Sequence, residues 1–258
     1  MAIVIGTNIP AQMSSHHLRT TRDGLETAME RLASGKRINS ADDDAAGSAI
    51  AARLMSQVRG TNMAMRNASD GISMAQVAEG AMVEVENMLQ RIRELKVQSL
   101  SAGTYTDTDI TNIHSEITNL VSEINDIAAN TKFNNTQVSG ADIDPAVRFD
   151  GTTADMAIPA FLSDPVATAS SVANIDTAIN SAVAARGSLG AIINRLEYTV
   201  NNLSNVSANT AAAYSRIMDT DYAAESAEVA KGTVLQQAGA AMLAQANAST
   251  QYVLSLLQ

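Results

Sequence analysis

Two adjacent histidines, His16 and His17, a third at His114, and the acidic run Asp42-Asp43-Asp44 are the side chains of this 258-residue chain that invite a metal or proton-transfer reading. None has the spacing such chemistry needs. Neighbouring residues on a helix point about 100° apart, so His16 and His17 cannot close on one ion as an i, i+4 pair does. His114 has no His or Glu at ligand spacing on its own face. Asp42–Asp44 lacks the alternating ligands and closing glutamate of a calcium loop, and reads instead as the acidic first turn of a helix. No phosphate loop or nucleophile elbow occurs. With no cysteine, thiolate ligands, thiol nucleophiles and disulfides are excluded. The sequence therefore predicts no catalytic residue, no metal and no cofactor, and the chemistry left to it is association.

Association needs surfaces, and the two ends supply them. Leu18, Leu25 and Leu32 recur every seven residues, with Ala28 and Met29 in the intervening turn. Near the finish, Leu235, Met242, Val253 and Leu256 fall on one side of a helix among Ala, Gln and Ser. Stripes this narrow are seams for a partner helix rather than faces of a globular core. Such a seam alone does not offset the ~1–2 kcal/mol of backbone entropy lost per ordered residue. Both ends are expected to be largely unfolded in a lone subunit and ordered in an assembly.

Composition agrees. Hydrophobic residues make up 46% but aromatics only 3%, with no Trp, so Ala, Leu, Ile, Val and Met do the packing. That mix suits helix on helix and argues against an aromatic-lined ligand pocket. A net charge of −10 disfavours nucleic acid and anionic membrane surfaces, both of which need clustered Lys and Arg. No run approaches the ~20 apolar residues of a membrane span. Ala2–Ile5 is too short for the core of a secretory signal and has no basic segment before it. Export, if it occurs, is expected by a route that reads no cleavable signal.

Periodicity places the elements. A first helix is expected over Ile9–Ser34, with Arg19, Arg22, Asp23, Glu26 and Glu30 opposite the leucines, Gly35 as its stop, and Lys36 and Arg37 at its C-terminal end. Asn39-Ser40 restarts a helix, with Ser40 and Asp43 at capping-box spacing. No proline then interrupts to about Ala102, some ~90 Å at 1.5 Å per residue. Ala75, Ala78, Met82, Val85, Leu89 and Ile92 alternate by three and four. A second seam (Met88, Ile92, Leu95, Ser99) overlaps it, a face wide enough for two neighbours. Thr106 or Asp107 caps the next helix, whose Ile110, Ile113, Ile117, Leu120, Ile124 and Ile127 form an a/d seam. Between Lys132 and Ser171, turn residues and three prolines (Pro145, Pro159, Pro165) break the pattern. There Val147–Phe149 and Met156–Ile158 flank Asp150-Gly151 as a small β-hairpin. Ile175, Ile179, Ala182, Leu189, Ile193, Leu196, Val200, Leu203, Thr210, Tyr214 and Ile217 then hold one register, interrupted at Arg186 and Ser207. Asp219-Thr220-Asp221 breaks it, and a last helix runs to about Leu254. The expected fold is mainly α: a long antiparallel helical bundle with a small β-hairpin, its first and last helices paired because the chain goes out and returns.

Specific strings carry a family resemblance. Arg31-Leu32-Ala33-Ser34-Gly35-Lys36-Arg37-Ile38-Asn39-Ser40-Ala41-Asp42-Asp43-Asp44-Ala45-Ala46-Gly47 closely resembles the N-terminal signature of bacterial flagellins. So do Arg66-Asn67-Ala68-Ser69-Asp70-Gly71-Ile72-Ser73 and Leu89-Gln90-Arg91-Ile92-Arg93-Glu94-Leu95-Lys96-Val97-Gln98. Leu235-Gln236-Gln237-Ala238-Gly239, Leu243-Ala244-Gln245-Ala246-Asn247 and Val253-Leu254-Ser255-Leu256-Leu257 are similar to the C-terminal signature. The likeness covers about residues 1–140 and 172–258.

The resemblance implies a helical homopolymer of identical subunits, the extracellular bacterial flagellum. Residues 1–40 and 219–258 map onto its inner tube of terminal helices, and 41–218 onto an outer bundle with a hairpin region at about 133–171, a minimal form without large outer domains. It also implies unfolded export by the flagellar type III route, with an export chaperone and a cap protein as partners. Arg91, Leu95 and Gln98, with Glu116 on the following helix, match positions that members present to a flagellin-sensing Toll-like receptor of innate immunity. Packing against neighbouring subunits is the other reading of that patch. Lys96, at its edge, stands where members usually carry a small residue. Asn135 replaces the glycine common after Phe-Asn and must accept a positive φ. No His-Glu-x-x-His occurs, so the protease insert of some members is absent, and the Ser and Thr residues of 152–171 read as a polar linker that in this family can carry O-linked sugars. A hook–filament junction protein of the same architecture is the alternative.

Overall fold

The computed structural model describes residues 7–101, 105–143, 156–160 and 171–255. The chain is mainly α, with helices α1 (Ile9–Ser34), α2 (Ala45–Ser99), α3 (Asp107–Asn130), α4 (Val172–Met218) and α5 (Tyr222–Ser255). Four two-residue strands, β1 (Lys132–Phe133), β2 (Thr136–Gln137), β3 (Asp142–Ile143) and β4 (Met156–Ala157), lie between α3 and α4.

Local chemistry sets most boundaries. The Asn8 carboxamide accepts the Ala11 N–H at 3.1 Å to open α1, and Pro10 sits in the first turn where its missing N–H costs nothing. Gly35, at φ 70°, closes it by donating to the Arg31 carbonyl at 2.9 Å. α2 begins at Ala45, later than the Ser40 start its sequence suggests. The cause is Asp43, whose carboxylate reaches back to the N–H groups of Asn39 (2.9 Å) and Ser40 (3.0 Å) and holds a turn there. The Asp44 carboxylate then accepts from Gly47 N–H at 2.8 Å and does the capping. Gly47 must lack a side chain, since a Cβ would collide with the Asp44 carboxylate and stand 2.9 Å from the Ile38 methyl. At α3, Thr106 and Asp109 form a full capping box. At α5, Asp221 accepts from the N–H of Ala223 and Ala224.

The chain divides into two compact units, Ser56–Thr210, and Met1–Met55 with Ala211–Gln258. The first is a bundle of α2, α3 and α4. Contacts from Asn62 to Ser207, Glu86 to Arg186 and Arg93 to Asp176 rise along α2 while falling along α4, so these two run antiparallel. Met82, Val85, Leu89 and Ile92 of α2, Ile117 and Ile124 of α3, and Ile175, Leu189 and Leu196 of α4 are wholly buried together. Each such side chain stabilises the bundle by about 1.5–3 kcal/mol relative to exposure. Ile113 is buried at the margin, and Leu120, Ile127, Ile193 and Val200 pack half-buried around the core. Ile192 is buried beside Ile193, Leu203 is buried further along α4, and Ile110 is half-buried at the start of α3.

The β1–β2 hairpin turns on Asn134 (φ 47°) and Asn135 (φ 67°), both left-handed as a two-residue hairpin loop requires. It places Val138 in the core, with Phe133 against it. β4 pairs antiparallel with β3, so the partner of Met156–Ala157 is Asp142–Ile143. Its expected partner, Val147–Phe149, lies outside the described residues, as does the Asp150-Gly151 turn. Ile158 N–H then donates to the Ala141 carbonyl at 2.8 Å, and the Ile158 side chain joins the bundle core.

Candidate assembly surface

In the second unit, α1 and α5 lie antiparallel with backbones close together. Leu25 of α1 packs over Gly232 of α5, where an added Cβ would stand 3.2 Å from a Leu25 methyl. Seven residues along, Leu18 packs over Gly239, where a Cβ would stand 3.1 Å from a Leu18 methyl. Glu225, Val229, Gly232, Gln236, Gly239, Leu243 and Ala246 follow one another at steps of four and three, and all are covered to some degree. On α1 the matching row is Ser14, Leu18, Thr21, Leu25, Ala28 and Leu32. Two heptad seams meet, one carrying leucines and the other the space to receive them.

The row of α5 that meets α1 is not the Leu235–Met242 row expected as a polymer seam. Leu235 and Met242 sit one position before Gln236 and Leu243, a rotation of roughly 100°, and do not face α1. They are 47% and 62% exposed. The phase of the row facing α1 is set by glycine, because leucines arriving from α1 need an absent side chain rather than another large one. A Gly-x6-Gly spacing opposite a Leu-x6-Leu spacing was the available signal. Val253 belongs to α5, with its side chain outside the described set, and Leu256 lies outside the described residues.

Polar contacts fix the register. The Asn8 side chain donates to the Ala246 carbonyl at 3.1 Å, and the Tyr222 hydroxyl to the Leu32 carbonyl at 2.6 Å. Arg31 lies 3.8 Å from Glu225 and 4.0 Å from Asp43. Beyond Gly35 the chain forms an antiparallel bridge, Arg37 N–H donating to the Met218 carbonyl at 2.6 Å and Thr220 N–H to the Gly35 carbonyl at 3.1 Å. Hydrogen bonds from the Ser40 and Asn39 backbone, assisted by Arg31, hold the Asp43 carboxyl below its ordinary pKa. What the pair lacks is an interior. Ala28 is the one described residue of α1 that is buried, and Ile9, Met13, Met29, Val234, Leu235 and Met242 stand exposed. These side chains leave apolar surface uncovered on the two paired helices.

In the bundle, Arg91 donates to Glu116 through Nη2 (3.0 Å) and Nε (3.2 Å), and lies 3.4 Å from Glu94. The Glu116 hydrogen bond raises the Arg91 pKa. Gln98 donates to the Tyr105 hydroxyl at 3.0 Å. Arg91, Gln98 and Glu116 are exposed. Leu95 is not, at 2% exposure within the core cluster, so of the four positions matched to receptor recognition it alone offers no surface. The apolar face of α2 is wide enough to take Leu95 with Ile92, as the second seam through Met88, Ile92 and Leu95 expects. Among the described residues no His, Asp and Glu gather in a metal-binding group, and no helix is long and apolar enough to cross a membrane.

Residues 5–138 match the bacterial flagellin N-terminal helical region, and residues 172–257 the bacterial flagellin C-terminal helical region. The chain belongs to the flagellin family. It is 40% identical to a flagellin of Halalkalibacterium halodurans, over 99% of this chain and all of the other. With a flagellin of Bacillus subtilis it shares 38% over 98% of this chain and 99% of that one. With the flagellar filament 31.3 kDa core protein of Treponema maltophilum it shares 39% over 99% and 100%. The flagellins it matches are structural proteins.

Proposed function

We propose that this flagellin is the repeating subunit of an extracellular bacterial flagellar filament, with residues 1–40 and 219–258 forming the inner tube and 41–218 the surrounding bundle. The observation that carries the reading is the α1–α5 pair, which fixes its register with named contacts and yet buries almost nothing of its own. Neighbouring copies of the same pair are the partner that covers Leu235, Met242, Met13 and Ile9 at every site along a polymer. The subunit would travel unfolded through the flagellar type III route, met by an export chaperone and added beneath a cap protein. Deleting 1–30 or 240–258 tests this. A folded, soluble bundle that no longer forms filaments is expected, and normal polymerisation of the truncated protein contradicts the reading.

A second role, recognition of the free subunit by a flagellin-sensing Toll-like receptor, is favoured by the exposed Arg91–Glu116 pair with Glu94 and Gln98 beside it. Arg91→Ala should abolish receptor activation while circular dichroism stays unchanged, and unchanged activation removes the assignment. Leu95→Ala acts differently, through the core, and serves as the control that loses stability as well. The filament-core name of the Treponema relative favours the filament over a hook–filament junction, which thousands of copies per sheared appendage, rather than a handful, would decide.

A further inference from the structure

The chain carries no Cys and no Trp, so the softest oxidisable groups it offers to solvent are methionine sulfurs. The structure sorts them. Met82 is wholly buried in the bundle, and Met55, Met65, Met74, Met88 and Met218 are half-buried. Four stand open. Met63, on the bundle, has the Arg66 guanidinium 2.7 Å from its sulfur, which occupies a lone pair. The other three, Met13 (58% exposed), Met29 (51%) and Met242 (62%), all lie on the terminal helices, outside the leucine–glycine seam. Among the described methionines, the open sulfurs are thus concentrated on the terminal pair, whose helices bury little of their own surface.

We propose that Met13, Met29 and Met242 are an oxidative modification site through which a hydroperoxide-class oxidant controls whether a free subunit can join a polymer. The proposal rests on the filament reading above. A thioether lone pair attacks one oxygen of hydrogen peroxide. The S–O bond forms, the O–O bond breaks, and the departing hydroxide takes the proton from the transferred oxygen to leave as water. Sulfur is oxidised by two electrons and the peroxide reduced by two, so no further reactant enters. The product is a polar sulfoxide on a chain that had been apolar, and an interface that covers it must desolvate an acceptor it was not built to satisfy. The α1–α5 pair itself does not bury these side chains, so the subunit keeps its fold. In an assembled polymer the same sulfurs are covered, so the site is open only before addition.

The test uses full-length subunits treated with hydrogen peroxide, freed of oxidant, and added to filament seeds while elongation is followed by light scattering. Peptide mass spectrometry should find sulfoxide at Met13, Met29 and Met242 well before Met82. Elongation should slow by about tenfold or more, the scale of one unsatisfied polar group left in an interface. Methionine sulfoxide reductases should restore it. The triple Met13→Leu, Met29→Leu, Met242→Leu variant should elongate equally with and without peroxide, and should it fail to elongate untreated, rescue of oxidised wild type by the reductases decides instead, its failure overturning the proposal. Oxidised wild type that elongates normally, or a leucine variant slowed as much as wild type, overturns the proposal. Untreated wild type that never elongates on seeds refutes the filament reading itself, a separate outcome.

Discussion

The bundle and the terminal pair are built from the same helical vocabulary and end in opposite conditions. In the bundle, large side chains from α2, α3 and α4 converge until Leu89, Ile117, Leu189 and Leu196 see no solvent, or almost none. In the terminal pair, leucines from α1 settle on glycines of α5, and the close approach leaves no volume between the helices for a core. The first arrangement closes on itself and the second stays open. A protein that must be soluble alone and insoluble in company can divide the two tasks between two regions in this way.

Substitutions sharpen that contrast. Leu189→Ala removes a side chain from the centre of the bundle and should cost about 2–5 kcal/mol, read as a large fall in the thermal midpoint. Leu25→Ala, the same change on the terminal pair, should leave that midpoint in place and slow elongation instead. If both lower the midpoint equally, the division fails. Gly232→Val comes next. Its branched side chain meets Leu25 at a position already closer than ordinary contact, and overpacking of about 1–3 kcal/mol should separate α5 from α1. Faster hydrogen exchange confined to the two terminal helices would record it. Thr106→Ala removes the α3 cap and should cost about 1 kcal/mol, measured by urea denaturation of the bundle.

Acid gives the smallest effect. The Thr106 hydroxyl and backbone hold the Asp109 carboxyl below its ordinary pKa, and the Ser40 and Asn39 backbone does the same for Asp43. A group whose folded pKa is depressed contributes stability above its unfolded value, near 3.8, and loses it as pH falls through the lower folded value. The α3 cap and the Asp43 turn should therefore hold at pH 5 and loosen below about pH 3.8. Amide chemical shifts at Thr106 and Ser40 followed through an acid titration would show it, and Asp109→Asn should flatten the response at the α3 cap alone.

The sequence is legible where one force acts alone. Asn8, Pro10 and Gly35 bracket α1 by local chemistry, so its limits follow from composition at three positions. The isoleucine rows of α3 are also plain, because burial there depends on size alone. Elsewhere two forces compete. Ser40 and Asp43 have the spacing of a helix start, but the Asp43 carboxylate is used to close a turn and the helix waits for Asp44. Leu95 lies on both the apolar row and the row shared with Arg91, and burial wins because α2 serves two neighbours. On α5, apolar character points to Leu235 and Met242 while close packing points to Gly232 and Gly239, and an absent side chain gives no signal to a count of hydrophobic residues. The two-residue strand β3 offers too little pattern to be picked out as the partner of β4.

Hydrogen exchange on the isolated subunit and on the assembled filament addresses the account most directly. In the subunit, amides of α1 and α5 should exchange well ahead of those in the bundle, residues 56–99 and 172–210, because opening the terminal pair exposes almost no core. In the filament they should become as slow as the bundle. Terminal helices already as protected in the dilute subunit as Leu89 and Leu189 would contradict the claim that neighbouring copies complete them.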